Sequence, residues 1–314
     1  MPSRAHAGSG LRKEAKGNKI IKRKKKKRSG FLHDSLIQKL VYKLVKKYIA
    51  GTTITSAIEA AKSFNSKGIP VSLTFLTAPV DTLPKARYVA STYLELIRRI
   101  GRFGLKASLQ IPIADIGFFI SESSARAYLD KILETGNKYG IFVWLELPSN
   151  FRDGEYVLNA KGIGYVVHSR SKYDIDFSRK AVKISFIDGL EEEQEAEGKE
   201  SHKLDAKKKQ DEKNILSKDL ALVKQMQSKA AYTVLQFAPE KLMHEVVKNS
   251  AYKKSLIFEF QLGYEHKYAG LAKKGWRTSV YVPFGKVWLD YAASRLQGHY
   301  TRMLVRKLLD GKKV

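Results

Sequence analysis

Apolar positions along the chain follow two alternating rhythms. Short runs rich in β-branched and aromatic residues read as strands: VSLTFL (71–76), ASLQIP (107–112), IFVWLEL (141–147), IGYVVH (163–168), AVKISF (181–186), YTVLQF (232–237), SLIFEF (255–260) and a last run at 279–282. Between most of them the apolar residues recur at helical spacing. The segment from Lys85 carries Tyr88, Val89, Tyr93, Leu94, Leu96, Ile97 and Ile100 and stops at Gly104. The segment from Ser121 carries Ala127, Tyr128, Ile132 and Leu133 and stops near Gly140. Further helices are expected over 34–50, in TSAIEAAKSF with Ser56 and Glu59 at capping-box spacing, over 215–229 and over 239–248. After the last strand, which Pro283 and Gly285 are expected to stop, a long helix carries Val287, Leu289, Tyr291, Ala292, Leu296, Met303, Leu304 and Leu308.

Eight strands alternating with helices predict an α/β fold, a (β/α)8 TIM-like barrel with extra N-terminal helices. The connections after 141–147 and after 163–168 are short, so the helices there are expected to be small or missing. Residues 190–214, acids first and lysines second, read as a charged insertion, a solvated loop that is either helical or disordered.

Charge changes the picture. The chain of 314 residues carries 58 Lys and Arg against 31 acids, a formal +27. The first thirty residues hold Arg4, Arg12, Lys13, Lys16 and Lys19, then the unbroken run Lys22, Arg23, Lys24, Lys25, Lys26, Lys27 and Arg28, with Glu14 as the lone acid. Such a segment repels itself and has few apolar residues to bury. Residues 1–32 are therefore expected to be a basic tail and 33–314 the barrel. Adjacent cations displace counterions from a phosphate backbone, so the tail reads as a nucleic-acid arm. Arg302, Arg306, Lys307, Lys312 and Lys313 near the C-terminus extend the same reading. Alternatives for the tail are a solvated end, a nuclear-import signal or a membrane-surface patch.

Other chemistry leaves little trace. There is no cysteine, hence no disulfide or thiolate site. The seven histidines show no metal-ligand spacing, and no phosphate loop, dinucleotide fingerprint or serine elbow occurs. No apolar run is long enough to span a bilayer and the N-terminus lacks a signal core, so a cytoplasmic protein is expected.

FEFQ at 258–261, then YVPFGKVW at 281–288 and Tyr291-x-x-Ser294-Arg295, resemble the C-terminal part of the proline dehydrogenases, flavin-dependent barrels that oxidise proline. The similarity covers about 40–310, including IAGTTITSAIEAAKSFNSKGIPVSLTFLTAPVDTLPKA. It implies a site at the C-terminal strand ends, where the chain departs from the family's patterns. Gln110 stands at the substrate lysine of V-S-x-K-L. Glu146 takes the place of the Asp in I-D-M-E, and Pro148 that of its second acid. His168, Ser169 and Arg170 replace a flavin-touching Gln-Ala-Tyr. In R-x-V-K-G-A-Y the arginine is expected at Lys183, the lysine at Phe186 and the tyrosine near Gly189. LQFAP lacks the family's Thr-His-Asp or Thr-His-Asn. Ser294-Arg295 with Gly298 stands for Arg-Arg followed by Glu. FEFQ and YVPFG look like packing and turn elements.

These departures, with the charge, predict a non-catalytic protein that binds structured RNA, most simply a ribosomal or ribosome-associated protein with no cofactor. Gln110, Glu146, His168, Lys183, Tyr281, Tyr291 and Arg295 would then line a vestigial pocket, with Glu146 and Arg295 as a candidate ion pair across it. The alternative is a divergent FAD-dependent proline dehydrogenase.

Overall fold

Alternate positions of the eight apolar runs pack outward against helices while the others turn inward, and this periodicity closes the sheet on itself. The computed structural model describes residues 46–148, 151, 163–171, 173, 177–178, 180–186, 204–288 and 291. Its strands are β1 Val71–Phe75, β2 Ala107–Pro112, β3 Val143–Glu146, β4 Ile163–His168, β5 Ala181–Ser185, β6 Tyr232–Gln236, β7 Leu256–Gln261 and β8 Arg277–Phe284. They form a closed barrel in sequence order. All neighbours are parallel, and β8 closes on β1 with Val282 opposite Leu73. The expected (β/α)8 barrel is the fold.

The helices are α1 Ile54–Asn65, α2 Leu83–Arg102, α3 Glu122–Lys138, α4 Leu204–Lys229, α5 Glu240–Val247 and α6 Glu265–Lys273. Among the described residues, no helix stands between β3 and β4 or between β4 and β5. α2 shows why these segments are helical. Pro84 sits in its first turn, and Ala86, Val89, Ala90, Tyr93, Leu94, Leu96, Ile97 and Ile100 form one buried stripe against the sheet. The facing layer includes Leu73, Leu109, Leu145, Val182, Leu235, Phe258 and Val280. Burying each such side chain contributes about 1.5–3 kcal/mol.

Three boundaries differ from the sequence reading. α1 starts one turn earlier than the Ser56–Glu59 box implies. Thr53 is its cap: the Thr53 hydroxyl accepts from Ser56 N–H at 3.1 Å, and Thr53 N–H donates to Ser56 Oγ at 3.2 Å. α4 begins at Leu204, so the lysine-rich half of the charged insertion is helix and continues into 215–229. β8 runs through Pro283 to Phe284. The proline carbonyl accepts Ala50 N–H at 2.9 Å, so the pleat continues past a residue with no donor. The basic tail, most of the helix expected over 34–50, residues 190–203 and the C-terminal helix beyond Tyr291 lie outside the described residues. No helix among the described residues is long and apolar enough to cross a membrane.

Inside the barrel the side chains form two layers. Towards the N-terminal end lie Trp144, Val166, Ala181 and Val234, with Phe142, Tyr232 and Ile257 against them. This aromatic plug depends on Gly164. A Cβ there would sit 2.6 Å from the Trp144 ring and 2.8 Å from Phe142. The layer above it, towards the C-terminal end, is polar.

Candidate active site

β2, β5, β6 and β7 each place one polar side chain in the barrel lumen. Gln110, Lys183, Gln236 and Glu259 are all buried, together with Ser72 from β1. Lys183 Nζ donates to Glu259 Oε1 at 2.7 Å, Gln110 Oε1 at 3.0 Å and Ser72 Oγ at 3.1 Å. Burial pushes the Lys183 amine below its ordinary range, while the Glu259 carboxylate pulls it back up. Three oxygen acceptors match the three N–H donors of an ammonium, whereas a neutral amine has only two. The geometry is therefore that of a charged lysine. The Trp144 ring, 4.7 Å from Nζ, adds a cation–π contact from below.

The network extends upward. Gln236 Nε2 donates to Glu259 Oε1 at 2.7 Å and to Gln110 Oε1 at 2.8 Å. Ser279 Oγ donates to the other Glu259 oxygen at 3.2 Å. Gln110 Nε2 donates to Glu146 Oε2 at 2.8 Å, and Glu146 Oε1 lies 3.7 Å from His168 Nε2. Lys183 thus fixes Gln110, and Gln110 presents Glu146 at the C-terminal mouth, the end where barrels of this class carry their chemistry.

The rim is fastened from outside. Phe75 N–H donates to the Tyr93 hydroxyl, which donates to the Gln110 carbonyl, both at 3.2 Å, tying α2 to β1 and β2. The Tyr173 hydroxyl accepts His168 N–H at 3.1 Å and donates to the Leu147 carbonyl at 3.3 Å, joining the ends of β3 and β4. Burial raises the Tyr93 and Tyr281 hydroxyls well above the usual phenol range. Asp115, in the turn after β2, is pushed up to about 7 by burial and by the Glu146 charge. Phe237, next after Gln236, has φ +58°, a left-handed conformation uncommon for any residue but glycine. Its ring packs edge-on to Tyr281 at 5.2 Å.

One feature of the mouth carries particular weight. His168, Ser185 and Gln236 end three consecutive strands in register, His168 opposite Ser185 and Ser185 opposite Gln236. Among the described residues, His168 Nδ1, Ser185 Oγ and Gln236 Oε1 are buried with no hydrogen-bond partner. Leaving three such atoms unpaired in a row is costly.

Of the residues expected to line a pocket, Gln110, Glu146, His168 and Lys183 come together as one chain of contacts. Tyr281 and Tyr291 face each other across 6.3 Å between ring centres. Arg295 lies outside the described residues, so Glu146 is described with Gln110 and His168 as partners. The cations expected to contact RNA, 12 to 28 and 302 to 313, also lie outside them. The sequence reading missed Ser72, Ser185, Gln236, Glu259 and Asp115. FEFQ is not only packing. Its phenylalanines face the helices, and Glu259 is the acid of the lumen. A signal was available, because a polar residue at every second position of a doubly buried strand has nowhere to point but the lumen. No group of possible metal ligands occurs among the described residues.

No family model matches the chain. Curated relatives do. The chain is 24% identical over 272 residues to proline dehydrogenase 1 of Bacillus subtilis, covering 80% of this chain and 85% of that protein. It is 24% identical over 289 residues to the proline dehydrogenase of Deinococcus radiodurans, covering 84% and 88%. Among solved structures, proline utilization A of Bdellovibrio bacteriovorus, inactivated by N-propargylglycine, superposes with a TM-score of 0.60 at 13% identity, over 88% of this chain and 36% of that one. A Bradyrhizobium japonicum proline utilization A gives 0.53 at 12%, over 86% and 31%. The chain therefore spans about a third of those larger proteins. The expectation of a ribosomal RNA-binding protein is overturned, because the relatives are dehydrogenases that share most of this chain's length. A high net charge identifies no partner by itself. Along four fifths of its sequence the chain is similar to the proline dehydrogenases, and it shares the closed barrel of the proline utilization A structures.

Proposed function

We propose that this protein is a flavin-dependent oxidoreductase of the proline dehydrogenase type, acting on proline or a related amino acid. The observation that carries the reading is the in-register row His168, Ser185 and Gln236 with its three buried unpartnered atoms. Hydroxyl, amide oxygen and imidazole nitrogen form an edge of mixed donors and acceptors. A flavin ring system presents such an edge, so the residues fit the group. In the family it is the fourth, fifth and sixth strand ends that touch the flavin. The reading therefore replaces the expected absence of a cofactor with FAD.

A second alignment of β5 with the family pattern supports the same reading. The consecutive Val-Lys of R-x-V-K-G-A-Y matches Val182-Lys183 directly, which puts Lys180 at the arginine and Phe186 at the tyrosine. On this alignment the lysine is kept at Lys183, in place of the expected exchange at Phe186. Lys183 would hold Gln110 and Gln236 in place under the cofactor. FAD bound there would accept the two electrons released when the C–N bond of the substrate is oxidised. Glu146, at the mouth and partly exposed, is placed to bind the substrate's ammonium. Gln110 stands where the family has a lysine, and its amide is committed to Glu146 and Lys183. The substrate carboxylate then falls to Arg295, so proline is expected to bind more weakly than in relatives with the full set of cations.

The test is to purify the protein, record its visible spectrum before and after incubation with FAD, and add proline without oxygen. Flavin absorbance that bleaches with proline supports the reading. Ser185→Ala with Gln236→Leu should release the flavin while the fold persists. A folded protein that takes up no FAD would refute the proposal. Bound flavin that is bleached only by another amino acid would move the substrate and keep the reaction class.

A further inference from the structure

The opposite end of the barrel holds a cleft of about 580 Å3, open to solvent between the N-terminal ends of the strands. That is the size of an ordinary small-molecule pocket. Its wall is the aromatic plug. Trp144 lies 5.0 Å from Phe142 and 5.8 Å from Tyr232, ring centre to ring centre. Gly164 leaves the room in which those rings stand. Its rim carries three cations, Lys67, Lys106 and Arg277. The acid among the lining residues is Glu259, and its charge is already engaged by Lys183 at 2.7 Å. The cleft therefore offers rings inside and, at the edge, cations that no carboxylate among the described residues pairs.

We propose that this N-terminal cleft is a second binding site, for a small aromatic anion. The rings stack on an aromatic body, and the Arg277 guanidinium and Lys106 ammonium meet a carboxylate, sulfonate or phosphate at the rim. The cleft is separate from the C-terminal mouth, because the Trp144 ring and the Lys183 ammonium above it lie between the two. Neither oxidation chemistry nor flavin is needed for it, so the proposal stands apart from the reading of the mouth.

A titration with 1-naphthoate tests it, followed by the indole N–H resonances of the three tryptophans. Trp144 and Trp276 line the cleft, whereas Trp288 follows the C-terminal end of β8 and serves as an internal control. Saturable shifts of the first two at millimolar ligand, with Trp288 unmoved, are expected. The double variant Lys106→Ala/Arg277→Ala should weaken binding by about tenfold or more, as loss of two charge-assisted contacts implies. The uncharged 1-naphthalenemethanol should bind the unmodified protein similarly weakly, a comparison that requires no variant to fold. Absence of saturable shifts, equal affinity for the alcohol, or unchanged affinity in a folded double variant would each overturn the proposal.

Discussion

Lys183 Nζ and Glu259 Oε1 lie 2.7 Å apart at the centre of the barrel, with side-chain exposures of 0% and 3%. The two residues come from strands separated by 76 positions in sequence. A charge so deeply placed loses most of its hydration, and its partner restores it only while both are present.

Removing one member should therefore cost more than removing both. Lys183→Met or Glu259→Gln alone is expected to destabilise by about 3–5 kcal/mol, the cost of an uncompensated buried charge. The double variant should recover a large part of that loss. Urea unfolding of the four proteins measures the coupling, and strictly additive losses would show that the pair is not the unit described here.

Gly164 tests the aromatic plug. Alanine would bring its Cβ against the Trp144 and Phe142 rings, which are wedged between strands and have little room to yield. A loss of about 1–3 kcal/mol is expected from overpacking. The melting temperature should fall, and the near-ultraviolet circular dichroism of the tryptophan should change with it.

Asp115 gives a pH signature. Its carboxyl is raised from 3.8 to about 7 in the folded protein. Between those values the folded state holds a proton that the unfolded chain has released, so stability falls as pH rises through that window. Asp115→Asn should remove this part of the slope and be the more stable protein above about pH 7. Unfolding free energies of both proteins across the range check the sign.

Thr53 tests the α1 boundary. Its hydroxyl caps the helix and its N–H is held in return by Ser56. Thr53→Ala should cost about 1 kcal/mol, the usual value of an N-cap. Glu59→Ala should cost far less, since the box does not begin at Ser56.

The sequence by itself determined the barrel. Eight runs of strand-forming residues, separated in most cases by helical stripes, admit few other arrangements, because a strand buried on both faces must have helices outside and neighbours beside it. It also placed Gln110, Glu146, His168 and Lys183 at or near the C-terminal strand ends. Strand position is a local property, and the period of two can be counted. What only the tertiary structure decided is which of these groups meet. Lys183 reaches Gln110 across 73 residues, and Gln236 reaches Gln110 across 126. Those pairings depend on the stagger of the strands around a closed barrel, which no single segment specifies. Net charge misled for the same reason, since it sums over the whole chain and says nothing about which groups face the barrel mouth.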